Sequence, residues 1–252
     1  ARDLAYSPTI EELTFASADH KLSGLIYMAN GPGPHPTVVL LHGFPGNEKN
    51  LDIAQAERRA GFNVMFFHYR GAWGSEGQYS LLQIEPDALR ALRFLREPDN
   101  ATRYRVDTDK LSLLGHSLGG YVALAAGSRD EQAICVGAMS PVNLALWQTG
   151  IANKDPAMQR VIQYSDTLFM LRDFNSTQLR AQLQAAQPNQ IDTTLFGPGL
   201  RGKSVFMVVG DEDTVTPAHT MFEPAVKAYS RDPRITLQSH IISGDHSYSW
   251  SR

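Results

Sequence analysis

Ser117 sits at the centre of Gly115-His116-Ser117-Leu118-Gly119, a glycine-flanked serine of the kind that carries a reactive hydroxyl. The apolar run Leu111-Ser112-Leu113-Leu114 precedes it and Gly120-Tyr121-Val122-Ala123-Leu124-Ala125-Ala126 follows. A strand, a sharp turn and a helix are therefore expected to meet at this serine. So tight a turn strains the serine backbone, and Gly115 and Gly119 let strand and helix approach without Cβ clashes. Glycine and serine are also ordinary turn residues, so the motif gains meaning only from partners. A hydroxyl needs a base to take its proton, an acid to orient that base, and donors for the oxyanion formed on attack at a carbonyl.

The chain has eight histidines in different settings. His246, in Ser243-Gly244-Asp245-His246-Ser247, follows the last expected strand and is the expected base. His116, inside the motif, points away from Ser117 as a packing residue; with Phe44 and Trp147 it is also a candidate for the substrate pocket. His42 opens a glycine-rich loop and His68 ends a strand, while His20, His35, His219 and His240 carry no partner signal. The acid should lie between serine and histidine in the chain, at another strand end. Gly210-Asp211-Glu212-Asp213 supplies it: Asp213 is favoured because the turn brings it back toward the sheet edge, with Asp211 as the fallback. For the oxyanion, one donor is the Leu118 N–H at the start of the elbow helix, where unpaired N–H groups favour negative charge. The second is the Phe44 N–H, from His42-Gly43-Phe44-Pro45-Gly46, with the Phe44 ring walling the acyl pocket. A merely structural turn is the alternative for this loop.

These residues need a scaffold, and the sequence alternates short apolar strands with amphipathic helices, the pattern of an α/β sheet covered on both faces. Strands over 11–17 and 22–28, joined by Ala18-Asp19-His20-Lys21, suggest an N-terminal antiparallel hairpin. Further strands are expected over 37–41, 63–69, 111–114, 133–140, 205–210 and 236–242, with helices over 51–60 and 86–96. Residues 1–142 and 203–252 then form the core. Between them the rhythm breaks: residues 143–202 show helical stretches over 157–171 and 176–186 but no convincing strand, and should form a helical lid beside the strand C-termini. Trp147, Ile151, Met158, Ile162, Phe169, Met170 and Phe174 make this stretch rich in large apolar side chains, most of which serve to pack it onto the body.

The 252 residues are 42% hydrophobic and 19% charged, with a net charge of −3, which gives no reason to expect a nucleic-acid partner. No apolar run approaches the roughly 20 residues that span a bilayer. The one cysteine, Cys135, rules out an internal disulfide and cannot by itself build a zinc site. It falls in an apolar strand and reads as a packed thiol. The start at Ala1 fits a cytoplasmic chain and a mature chain after signal removal equally well.

Taken together, His42-Gly43-Phe44, Tyr69-Arg70-Gly71 with Gly74-Ser75-Glu76-Gly77, the serine motif, Gly210 to Asp213 and Gly244-Asp245-His246 resemble the α/β-hydrolase superfamily over nearly the whole chain. Within it, the sequence looks most like bacterial carboxylesterases of the cinnamoyl/feruloyl-esterase and peptidase-like group. The resemblance implies an α/β-hydrolase fold, a mostly parallel sheet with a helical lid, and a serine esterase that needs no metal or cofactor. A small-molecule ester is the expected substrate. A peptidase, amidase or thioesterase using the same residues is the alternative, and a catalytically silent binding protein keeping the fold is a reading of a different class. The Arg70 loop is usually structural in such proteins. Two departures stand out: family members carry a final helix after the histidine, whereas this chain ends at Arg252, and Ala72-Trp73 before Gly74 is an unusual insertion that could add an aromatic near the pocket.

Overall fold

The structure, a computed structural model, describes residues 3–250. Ala1 and Arg252, on which the expectations about the chain ends rest, lie outside the described residues. In chain order the elements are β1 (Thr9–Ser17), β2 (His20–Met28), β3 (His35–Leu41), α1 (Leu51–Arg59), β4 (Asn63–Phe67), α2 (Ile84–Arg96), α3 (Pro98–Arg103), β5 (Val106–His116) and α4 (Leu118–Arg129). There follow β6 (Cys135–Met139), α5 (Leu144–Ala152), α6 (Pro156–Ser165), α7 (Ser176–Ala185), α8 (Pro188–Ile191), β7 (Ser204–Gly210), α9 (Glu223–Tyr229) and β8 (Thr236–Ile242).

The strands form one 8-stranded sheet in the order β1-β2-β4-β3-β5-β6-β7-β8. Its first two pairings are antiparallel and the rest parallel. The central strands read as continuous apolar runs because both their faces are covered; every residue of β4 is buried. On one face α1 sits over a small cluster of Tyr27, Leu40, Ala54, Val64 and Phe66. On the other, α2 and α4 pack into the main core with Leu92, Leu95, Val122 and Leu124. The covering thins at the edge, where every residue of β8 except Leu237 is exposed.

Tertiary contacts shift several expected boundaries. The hairpin turn is Ala18-Asp19 alone, because Ser17 pairs with His20 and Lys21 joins β2; Ala18 takes a left-handed φ of 50° to close it. β5 starts well before residue 111, at Val106, which pairs with His35 across an irregularity in β3. The helix expected to reach Leu171 ends at Ser165. Beyond it the chain is drawn into extended pairing: Leu171 bridges Ala72, and the Arg172 N–H donates to the Gly71 carbonyl at 2.7 Å. Trp147, Met158, Ile162 and Phe174 are buried as expected of packing residues, but Phe169 is 91% exposed. Cys135 begins β6 and is only half-buried; burial is the main cause that raises its thiol pKa.

Candidate active site

Ser117 has φ 59° and ψ −122°, the strained turn its neighbours demand. A Cβ on Gly115 would lie 1.9 Å from the Gly119 carbonyl oxygen, and one on Gly119 would lie 2.1 Å from that of Leu41. Neither position has room for a side chain, so the glycines allow β5, α4 and β3 to converge. The Ser117 N–H donates to Met139 O at 2.9 Å, tying the turn to β6. The residue is 8% exposed.

The turn after β7 folds Asp213 back to the sheet edge. Asp213 Oδ1 accepts from the N–H groups of Val215 (2.9 Å) and Thr216 (2.7 Å), and Oδ2 accepts from Thr216 Oγ1 at 2.7 Å. The same Oδ2 stands 2.8 Å from His246 Nδ1. Burial opposes the carboxylate charge, but the hydrogen bond and charge of His246 and the Thr216 N–H outweigh it and hold Asp213 well below the usual carboxylate range. With Nδ1 against a carboxylate, the neutral imidazole carries its proton there and turns Nε2 outward as an acceptor. Asp211 is placed differently: its Oδ1 accepts from the Gly244 N–H at 3.0 Å and so braces the loop that carries His246. His116 also holds this loop, with Nε2 2.7 Å from the His246 carbonyl oxygen and the two rings 4.8 Å apart. Ser249 completes the brace through its N–H and hydroxyl to the Asp245 carboxylate, at 2.8 and 2.7 Å.

Leu118 opens α4, where the first N–H groups have no helical acceptor. The Phe44 N–H is oriented by His42. His42 Nδ1 lies 2.8 Å from Gly43 O, and burial lowers the His42 pKa to about 4, so the neutral ring donates through Nδ1–H. In a trans peptide the C=O and N–H point oppositely, so the Phe44 N–H is aimed away from His42. Tyr69 steadies the same residue by donating to His42 O at 3.0 Å. Gly43 lies directly against the serine: a Cβ there would be 3.0 Å from Ser117 Cβ.

A cavity of about 180 Å³ has Gly43, Phe44, Glu48, Ser117, Tyr164 and His246 in its wall, and His116 also reaches it. Among the described residues the hydrogen bonds of the His246 ring run to Asp213 and Thr216, and none to Ser117; serine and histidine share the cavity wall. Trp147 is not part of that wall. It packs edge-on against Phe44 with centroids 6.0 Å apart, and Phe174 does so from another side at 5.8 Å. Sequence reasoning missed Thr216 and Tyr164. The spacing of Asp213 and Thr216 is that of a carboxylate capping backbone N–H groups downstream, a signal that could have found the threonine. Tyr164 lies on α6 with no such mark. Among the described residues no group of three or more His, Cys, Asp or Glu could hold a metal ion, and no helix is long and apolar enough to cross a membrane.

The family model described as "Alpha/beta hydrolase family" matches residues 38–251. An uncharacterised 31.7 kDa protein in the traX-finO intergenic region of Escherichia coli is 31% identical over 128 residues, covering 47% of this chain and 43% of that protein. Esterase EstD of Thermotoga maritima is 30% identical over 123 residues, 44% of this chain and 28% of the esterase. These matches span less than half the length of the relatives concerned. Among solved structures, the Pyrococcus furiosus esterase Pf2001 is similar with a TM-score of 0.66 at 19% identity, covering 97% of this chain and 86% of that one.

Proposed function

Since the chain belongs to the alpha/beta hydrolase family and has its fold, we propose that it is a serine esterase acting on small carboxylic esters through an acyl-enzyme. The observation that carries this reading is the shared cavity of Ser117 and His246, with the far nitrogen of His246 on Asp213. Ser117 Oγ attacks the ester carbonyl while His246 Nε2 takes the hydroxyl proton. The oxygen becomes an oxyanion between the N–H groups of Phe44 and Leu118. The C–O bond to the alcohol then breaks as His246 returns the proton to the leaving oxygen, and Ser117 stays esterified. Water repeats the sequence: His246 takes its proton, hydroxide adds to the acyl carbon, and Ser117 leaves reprotonated. Asp213 stays ionised, orienting the imidazole and stabilising its protonated form. Contact between Ser117 and His246 tightens as substrate enters.

The helical segment over 143–202 acts in this reading as a lid, with Tyr164 and the buttressed Phe44 ring closing one wall. A cavity of about 180 Å³ favours short acyl groups. A series of p-nitrophenyl esters of increasing acyl length, with methyl ferulate and an aminoacyl anilide, tests the reading. Turnover should be highest on short acyl esters and absent from Ser117→Ala; anilide cleavage that outpaces every ester would overturn the esterase assignment.

A further inference from the structure

Trp73 lies outside the cavity wall yet bonds to both structures that frame it. Its indole Nε1–H donates to the Pro45 carbonyl at 2.7 Å, next to Phe44 in the loop against Ser117. Its backbone N–H donates to Met170 O at 2.9 Å, in the turn after α6, the helix that brings Tyr164 to the cavity. The chain around it is stitched to the same turn. Ala72 pairs with Leu171, the Arg172 N–H donates to Gly71 O at 2.7 Å, and the Tyr79 N–H donates to Arg172 O at 3.1 Å.

The residue is also held in place. Its φ of 50° is one that side-chain-bearing residues rarely adopt, so contacts impose it. The ring stacks on His68 with centroids 6.0 Å apart, and Lys49 Nζ stands 5.4 Å from its centroid. Both contacts fix the direction of the indole N–H. In the loop, the Gly43 carbonyl is held by His42 and the Pro45 carbonyl by Trp73, on either side of Phe44. Pro45 is a largely buried residue in the cavity wall, and without the indole its carbonyl would lose this partner. The next residue, Gly46, has a φ of 99° and no Cβ to limit rotation of the freed peptide.

We propose that Trp73 is a positioning residue that couples the turn between α6 and α7 to the oxyanion donor on Phe44. It rests on the acyl-enzyme reading above. The indole N–H keeps the Phe44 N–H aimed at the developing oxyanion, and the backbone tie to Met170 holds the Tyr164 wall in register with that loop.

Two variants of the full chain test this: Trp73→Phe, and replacement of Trp73 by 3-benzothienylalanine, which keeps the ring shape and lacks only the donor. On p-nitrophenyl acetate, both should lose kcat by about 10-fold, less than deletion of an oxyanion donor itself, with KM within about two-fold. The inhibition constant of an alkyl boronic acid, which mimics the tetrahedral adduct, should rise by the factor by which kcat/KM falls. A benzothienylalanine variant with kcat within two-fold of the parent, or one that loses kcat with unchanged boronate affinity, overturns the coupling. Ser117→Ala is the separate arm: abolished turnover leaves the underlying reading standing, whereas retained turnover removes it whatever Trp73 does.

Discussion

His246 Nδ1 and Asp213 Oδ2 stand 2.8 Å apart although 33 positions separate the residues in the chain. The contact is fixed from both sides. Thr216 supplies its N–H and hydroxyl to the carboxylate, and the His246 loop is held by Asp211 through Gly244 and by His116 through the His246 carbonyl. Asp213→Asn places an amide that can donate where a pure acceptor stood, and so favours the wrong tautomer of His246. Its kcat should fall about 10⁴-fold. Asp211→Asn, which leaves the imidazole contact in place, should lose less than about 10-fold. Steady-state kinetics with circular dichroism of both variants check this, and equal losses would contradict the assignment.

Gly119→Ala should fail for a steric reason. A Cβ there would lie 2.1 Å from the Leu41 carbonyl oxygen, a backbone atom that cannot swing aside. Destabilisation of about 3 kcal/mol or more is expected, at the upper end of overpacking costs. Chemical denaturation measures it; a midpoint within error of the parent would show that β3 and α4 can part more easily than their packing implies.

His42, fully buried, and His68, half-buried, set an acid limit on stability. Burial lowers His42 to about 4 and His68 to about 3, both from 6.5. At these two sites the unfolded chain therefore binds more protons than the folded one below pH 6.5, and their contribution to stability falls as pH drops from there toward 4 and then 3. Urea midpoints at pH 7, 5.5 and 4.5 should fall in that order. His68→Phe keeps a stacking ring without the titration and should shallow the slope; an unchanged slope would remove His68 as a cause.

Glu57 acts with the opposite sign. Its Oε2 is buried without a hydrogen-bond partner among the described residues, and burial raises its pKa from 4.5 to about 7. The folded chain holds this proton longer than the unfolded one, so stability from the neutral acid is lost as pH rises from 4.5 through 7. Glu57→Gln should raise the melting temperature at pH 8 by roughly 2–6 °C and change it little at pH 4. A gain of equal size at both values would contradict the titration.

Legibility in the sequence followed the range of the contacts. The elbow was readable because Gly115, Ser117 and Gly119 are local in the chain and their spacing carries the steric demand. The meeting of Asp213 and His246 was readable because each follows a strand, and parallel strands deliver their C-terminal loops to one edge. Asp211 was harder to separate from Asp213, since only the folded turn shows which carboxylate meets the imidazole and which the Gly244 N–H. The end of α6 was misread because the apolar pattern runs on through Leu171, while residues 71 and 72 draw that stretch into extended pairing. Trp73 stood out as unusual, but its partners Pro45, His68 and Met170 lie in separate segments, and no local pattern encodes such a meeting.

The most direct measurement is the mass of the enzyme after rapid mixing with p-nitrophenyl acetate and acid quench, followed by peptide mapping. One added acetyl group is expected on Ser117, formed at the rate of the p-nitrophenol burst and absent from Ser117→Ala. Turnover with no adduct, or an acetyl group on another residue formed at the burst rate, would contradict it.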